Sequence, residues 1–527
     1  MSEQRVLVED AKRLSESILW QLQRDYYAGE SIKAWKTDRV PHVITNSAFL
    51  AKAYTRIVYG FLRDWQHRID RSEPVYIVEL GAGTGRLAFG FLRKWLTFFP
   101  QSALCDLKIT YVITDFAEEN VRFWQQHPAL RPFVDAGQLD FATFDATRPG
   151  PLDLRASGKT MQIGALANPL VVLANYFFDS LPQDTFALKA GTFYEGRVKV
   201  NRIVKEGEQS AGLDNLKLGF ELAPVDAATY YPDPDYTAVL KPYTETGDDT
   251  WVLFPTTAFE VLRGLNALSG GRLLLLSADK GYHRWEDASQ RHQPFFNLHG
   301  SFSLMVNYHA LGEMMRRWGG DIITNSHTAI AIDICALTGP ETPGSYVETR
   351  QAYYEYAEAF SPDDFYHLKV YARPGQTERV KPDEIIAHIR LSGYDPHVML
   401  HHFTELFEQL ESTTHVQRDE LRVIAHRTYE NYYEIGEPYD MAFACASLLS
   451  GSGFYEDALP YFHRSRETHG DALETLYNLS ICHACLNQFD DAIALAGTLV
   501  EQAPENETYK RLLEQLQIQA AKTASPD

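Results

Sequence analysis

Apolar residues recur at helical spacing over residues 11–35, through Leu14, Ile18, Leu19 and Leu22 with Tyr26 and Tyr27 beyond them. They do so again over 46–69, through Phe49, Leu50, Tyr54, Ile57, Val58, Phe61, Leu62 and Trp65. The spacing predicts amphipathic helices in an N-terminal segment, 1–70, that packs on the domain after it. From Val75 the period changes. Short apolar runs at Val75–Leu80, Ile109–Thr114, Leu170–Ala174, Leu273–Ser277 and Ile330–Ile334 alternate with helical stretches such as 86–99 and 117–127. Parallel strands need a crossover about as long as a helix, and those helices bury both sheet faces, so the pattern reads as a wrapped, mostly parallel α/β sheet. Residues 191–250 interrupt it with alternating stretches, Gly and Asp, and the turn-forming Tyr231-Pro232-Asp233-Pro234-Asp235, which predicts an inserted β-rich or irregular lobe.

The cluster Gly339-Pro340-Glu341-Thr342-Pro343-Gly344 follows an apolar strand, and the chain reads as helical from about 345 onward. The predicted division is therefore a domain over 71–340, a helical region or divergent repeats over 345–437, and repeats over 438–520. Gly453-Phe454-Tyr455-Glu456-Asp457-Ala458-Leu459 aligns with Asn487-Gln488-Phe489-Asp490-Asp491-Ala492-Ile493 at an offset of 34 residues. That is the tetratricopeptide period, with Ala458 and Ala492 where the paired helices cross closely and Pro504 after the second helix.

Composition narrows the function. Forty-nine basic against seventy acidic residues leave a formal charge of −21, which excludes a broad nucleic-acid-binding surface or a polybasic membrane patch. Five cysteines, odd in number and irregularly spaced, make no disulfide framework. The first ten residues have neither the apolar core of a secretory signal nor a transit peptide's acid-poor character, and no apolar run approaches a membrane span. The expectation is a soluble cytoplasmic protein.

The chemistry concentrates in Val75-Tyr76-Ile77-Val78-Glu79-Leu80-Gly81-Ala82-Gly83-Thr84-Gly85-Arg86, an apolar strand, an acid and three glycines before a helix. Glycines at alternate positions let the backbone turn tightly and let a ligand approach where a Cβ would collide. A dinucleotide loop wants a small residue where Arg86 stands and a ribose acid about 20 residues on; a Walker loop needs Gly-Lys-Ser/Thr. Neither fits. Downstream, Ile109-Thr110-Tyr111-Val112-Ile113-Thr114-Asp115 ends in a carboxylate able to accept from two ribose hydroxyls, and Asp145 of Phe144-Asp145-Ala146 occupies a third strand end, suited to an adenine amino group. Leu170-Val171-Val172-Leu173-Ala174 runs into Asn175-Tyr176-Phe177-Phe178-Asp179-Ser180-Leu181-Pro182, where Asn175 and Asp179 are polar groups able to hold an acceptor while Phe177 and Phe178 read as core.

The E-x-G-x-G-x-G loop resembles the first motif of class I methyltransferases. Together with Asn175–Pro182, Asp279-Lys280-Gly281, Val306-Asn307-Tyr308, Tyr26-Tyr27 and Ile44-Thr45-Asn46-Ser47, it resembles the MidA-type methyltransferases over roughly 20–335. That resemblance implies a Rossmann-like fold and an S-adenosylmethionine-dependent enzyme with protein arginine as the best-described substrate. By it, Glu79, Gly81, Ala82, Gly83, Gly85, Asp115, Asp145 and Asn175 hold the cofactor, and Asn175, Tyr176 and Asp179 face the acceptor. No metal is expected. The family's usual N-E-F-F-D, D-Y-G and V-D-F carry Tyr176, Lys280 and Asn307 here, implying a reshaped acceptor site. The repeats imply a docked protein or peptide substrate. A catalytically degenerate scaffold, or a small-molecule methyltransferase whose repeats form a homodimer, are the alternative readings.

Other clusters read as structural. Cys482-His483-Ala484-Cys485 lacks a second pair, and His397, His401 and His402 lack a zinc signature. His283, His292 and His299 lie in a polar stretch, 279–301, that could lid the site, with a general base among them as the less favoured reading.

Overall fold

The computed structural model describes every residue except 1–3, 31, 34–43, 205–212, 214, 246–248, 290, 291, 295, 299, 300, 328, 330, 370–379 and 525–527. Its principal strands are β1 (Gln4–Arg13), β2 (Val75–Leu80), β3 (Ile109–Asp115), β4 (Leu139–Thr143), β5 (Leu170–Asn175) and β6 (Asp184–Lys189). They continue with β7 (Thr192–Val204), β8 (Leu216–Pro224), β9 (Thr250–Phe254), β10 (Leu273–Asp279), β11 (Asp321–Ile323) and β12 (Asp333–Thr338). The helices that bear on the site are α1 (Ile18–Glu30), α2 (Ala48–Trp65), α3 (Arg86–Phe98), α4 (Glu118–Gln126), α5 (Thr256–Ser269), α6 (Tyr308–Arg317) and α7 (Val347–Tyr353).

The large sheet runs β11-β12-β10-β5-β2-β3-β4. From β4 to β10 neighbours are parallel, while β12 runs antiparallel to both β10 and β11. β2, β3, β5, β10 and β12 are almost entirely buried, as strands covered on both faces must be. The chain leaves β2 toward β3 and β4, then returns to the other side of β2 as β5. The order therefore reverses between β2 and β5, where crossover connections diverge and leave a crevice at the strands' carboxyl ends. Glu79 and Asn175 both stand at that crevice.

The inserted region is β-rich as expected, but its sheet is wider than 191–250. Strands β6, β7, β8 and β9 are joined by β1, all antiparallel. Residues 4–13 are thus an edge strand, including 11–13, which the helical spacing had claimed. β1 carries Arg5, Glu9, Asp10 and Lys12, slips register twice against β7, and is largely exposed. A charged, bulged edge strand avoids aggregation at the cost of the alternation that would reveal it. β4 and β11 also escaped the sequence pattern, and the expected strand at Ile330–Ile334 is Asp333–Thr338, with residue 330 outside the described residues.

Two compact units divide the chain at His367 and Leu368. The segment after the Pro/Gly cluster therefore belongs to the first unit. Tyr346 stacks on Phe61 and Phe365 on Phe49, while Asp64 of α2 accepts hydrogen bonds from the Glu348 and Thr349 amides at 3.1 and 2.9 Å and from the Thr349 hydroxyl. Gly60 permits this approach: a Cβ there would lie 2.6 Å from the Glu348 carbonyl oxygen.

The second unit is helical. Tyr455–His469, Leu473–Cys485, Phe489–Gln502 and Glu507–Ala524 form successive antiparallel partners, and Ala458 and Ala492 are fully buried at equivalent points. Cys482 is buried against the Ser450 hydroxyl while Cys485 is exposed, so the pair does not converge on one point. Among the described residues no helix is long and apolar enough to cross a membrane.

Asp64 supplies the free amides of α7 with an ionised acceptor. Asp64→Ala should cost about 1–3 kcal/mol, read as a lower denaturant midpoint for the first unit with the second unit's transition unmoved.

Candidate functional site

The crevice between β2 and β5 opens into a cavity lined by Glu79, Gly81, Ala82 and Gly83 after β2, Asp115 and Phe116 after β3, and Asn175, Tyr176, Phe177 and Asp179 after β5. Helix α1 adds Trp20, Gln23, Arg24 and Tyr27, and Lys280 follows β10. Eight of the residues singled out in the sequence thus meet at one place. Gly85 and Asp145 are outside the lining.

The glycine loop is pinned from both sides. Ala82 donates its amide to the Thr114 carbonyl at 2.9 Å, the Thr114 hydroxyl donates to the Glu79 carbonyl at 2.7 Å, and the Trp124 indole of α4 donates to the Gly83 carbonyl at 3.0 Å. Gly81 adopts φ +62°, and a Cβ there would meet the Phe177 ring at 3.0 Å. Gly85 shapes the turn as the left-handed residue before α3 rather than touching the cavity.

Its electrostatics are dominated by buried acid. Glu79 is 4% exposed, and its partner is the Tyr111 hydroxyl at 2.7 Å rather than a cation. Burial pushes its carboxyl up to about 8, opposed by that hydrogen bond and reinforced by Asp115. Asp115 is braced by the Ala117 amide, the Asn120 side chain and the Gly83 amide at 2.9, 3.0 and 3.3 Å, yet burial still raises it.

The acceptor side is a strained turn. Tyr176 has φ 45°, unusual for a residue with a side chain, while its amide continues the sheet by donating to Ala278. Asn175 accepts from the Tyr54 hydroxyl at 2.7 Å. Asp179 accepts from the Ser180 hydroxyl at 2.8 Å, and its amide donates to Asp279 at 3.2 Å. The two carboxyl groups are hydrogen-bonded in a buried pair. Burial raises both, Asp279 further because the charge of Asp179 opposes its ionisation. Asp279 was quoted in the sequence only as part of a motif; a third strand-end acid was the signal for its role.

Asp145, expected at the adenine edge, forms a two-pronged ion pair with Arg24 at 3.1 and 3.0 Å while its neighbours Phe144, Ala146 and Thr147 line the cavity. Partial burial pushes its carboxyl up, but Arg24 and Thr147 outweigh that and hold it below the usual range. Arg24 also lies 4.7 Å over the Phe116 ring. Asn307 does not reshape the acceptor site: it caps α6 by accepting from Ala310 and donates to the Leu253 carbonyl, inside the core. Lys280 does reach the cavity. His283 faces Asp333, His292 is exposed, and His299 lies outside the described residues. Phe177 belongs to both core and cavity wall.

Residues 58–297 match a family model described as "Putative S-adenosyl-L-methionine-dependent methyltransferase", and 449–516 match a tetratricopeptide repeat. The methyltransferase model covers less than half of the chain. No curated protein matches the chain. Two solved structures from Burkholderia thailandensis, members of one superfamily, are similar to it. The first is a methyl transferase candidate bound to S-adenosyl-homocysteine, at 17% identity over 53% of this chain and 62% of that one, with a TM-score of 0.32. The second is uncharacterized, at 14% identity over 64% of this chain and 94% of that one, with a TM-score of 0.39. The chain spans less than two thirds of the first one's length.

The residues of the crevice fit the sulfonium cofactor that the matched family model names. A buried carboxyl without a cation, a braced aspartate and a glycine cradle that a Cβ would fill converge there. Gly81→Ala should destabilise the domain by about 1–2 kcal/mol, since it holds a methyl group in the left-handed region. It should also displace Phe177, seen as a lower melting temperature together with weakened S-adenosylmethionine binding in calorimetry.

Proposed function

We propose that this methyltransferase modifies a nitrogen of a protein or peptide side chain, with arginine first by family resemblance, and that the repeat unit holds the substrate. The observation that carries the reading is the meeting of the glycine loop with Asn175, Tyr176 and Asp179 in one cavity. Tetratricopeptide surfaces bind chain segments, and a tethered one raises the local concentration of its ligand. All five cysteines are unpaired, which supports a reducing compartment such as the cytoplasm.

S-adenosylmethionine supplies an electrophilic methyl group on a sulfonium. Gly81, Ala82 and Gly83 would admit it closely, Gly85 sets the turn, Asp115 would accept from the ribose hydroxyls, and Glu79 would meet the cationic end. Asn175, held by Tyr54, stands between cofactor and acceptor. Tyr176 and Phe177 wall the reacting centre from water, so the acceptor nitrogen is desolvated and aligned before reaction. Asp179 would take the proton that the acceptor nitrogen sheds on methylation. Burial and mutual repulsion raise both members of the Asp179–Asp279 pair, so the pair holds a proton more readily than two separate carboxylates would.

Glu79, pushed up to about 8, is mostly protonated at pH 7 until a cation arrives. S-adenosylmethionine binding to the full chain at pH 7, measured by calorimetry in buffers of different ionisation enthalpy, should release most of one proton. Glu79→Gln should bind more weakly and release none.

With methyl-labelled S-adenosylmethionine and proteins of its own cell extract, the chain should place label on protein side chains. Asp179→Asn should lower transfer by about 10²–10⁴-fold with cofactor binding intact. Asp279→Asn, an isostere of the protonated acid, should keep most activity. Because Asp179 is raised, activity should fall as acidification protonates it, in a range above that of an ordinary carboxylate. Label confined to small molecules would refute the protein acceptor.

A further inference from the structure

Outside the cavity, a cluster with metal-ligand chemistry stands at the antiparallel end of the large sheet. We propose that His283, Asp333 and Cys335 form a binding site for one divalent cation of the zinc class, by virtue of three different ligand types buried within 4.8 Å of one another.

The backbone explains the convergence. Asp333 and Cys335 are alternate residues of β12, so their side chains share a face. They stand opposite Asp279 and Ser277 of β10. Beyond β10, Gly281–Tyr282 pairs with Val306–Asn307, which turns the chain so that His283 comes back over the start of β12. The His283 and Asp333 side chains are 4% and 2% exposed, and Cys335 is fully buried.

A plain histidine–aspartate bond does not account for this arrangement. His283 Nδ1 lies 2.6 Å from Asp333 Oδ2, which satisfies one atom of each residue. His283 Nε2 and Asp333 Oδ1 are buried with no hydrogen-bond partner. Each such group carries a desolvation penalty that a structure normally avoids. A divalent cation between the three side chains would be met by imidazole, carboxylate and thiolate donors at once. Coordination would displace the thiol proton to solvent, and one thiolate plus one carboxylate then balance the cation's charge.

The donor set selects the ion. Thiolate and imidazole prefer zinc-like ions, whereas magnesium and calcium want oxygen alone. Ligand atoms around tetrahedral zinc lie roughly 3.3–3.8 Å apart, given bonds of about 2.0–2.3 Å. The observed spread therefore asks for a contraction of about 1.5 Å at most. Asp333 and Cys335 lie beyond residues 58–297, the segment matched by the family model. The site's consequence is local: the ion clamps the segment after β10, whose Lys280 lines the cavity, to β12.

The full chain, expressed with zinc and purified without chelator, should carry close to one zinc per molecule by elemental analysis. After zinc removal, cobalt(II) should restore occupancy with a thiolate-to-cobalt charge-transfer band. Cys335→Ser should abolish that band and weaken zinc affinity at least ~10-fold. Asp333→Asn should weaken affinity comparably while keeping the band, and it serves as the folded control if Cys335→Ser is unstable. Metal-free protein with no cobalt band overturns the proposal. So does a band that survives Cys335→Ser, which would assign the metal to another cysteine such as Cys482. Neither measurement depends on methyl transfer, so failure here leaves the transferase reading standing.

Discussion

Burying a carboxyl group away from a cation costs free energy, and the carboxyl edge of the large sheet does this repeatedly. Glu79, Asp115, Asp179 and Asp279 are each buried, and burial raises each of them. For Glu79 the shift from 4.5 to about 8 corresponds to about 5 kcal/mol between its two protonation states. A fold can carry such groups only by keeping them protonated or by meeting a cation there. Under the proposed function, a sulfonium ligand with an ammonium group would answer the first two acids, and a nitrogen acceptor that sheds a proton the other two. Most of the local architecture holds these acids in place.

That architecture arises from the reversal of strand order between β2 and β5. The loops leaving these neighbours diverge, so their first residues face one another across a crevice. Phe177 from the β5 loop occupies the space that Gly81 leaves open in the β2 loop. The positive φ of Tyr176 is understandable here: the chain must stay paired to β10 through its amide and still turn sharply enough to bring Asp179 back beside Asp279. Local strain is offset by the fixed placement of two acids.

What could be read beforehand were features determined by a few consecutive residues. The glycine loop, the acid ending β3 and the turn after β5 lie on buried strands, where apolar runs announce position and strand ends announce direction. Contacts joining distant segments were not legible. Arg24 pairs with Asp145 across 121 residues, and no local pattern links an exposed helical arginine to a strand-end acid. Asp279 meets Asp179 only because β10 lies beside β5. β1 was hidden by its own charges. Asn307 misled in the opposite direction: a substitution within a motif suggested altered specificity, whereas asparagine serves as well as aspartate as a helix cap.

The two other departures from the family pattern, Tyr176 and Lys280, do line the cavity, and their chemistry can be weighed together. A glutamate at 176 would add another buried carboxylate to an edge already crowded with acid; a tyrosine keeps the bulk and removes the charge. Lys280 adds a cation whose field lowers Asp179. Both changes reduce the net negative charge around the acceptor, leaving Asp179 as the principal carboxylate there. An acceptor that needs two carboxylates to grip a delocalised cation is less well served than one that needs a single proton sink. If the proposed nitrogen acceptor is right, the cavity favours a group that presents one N–H to Asp179 over one held by a bidentate clamp.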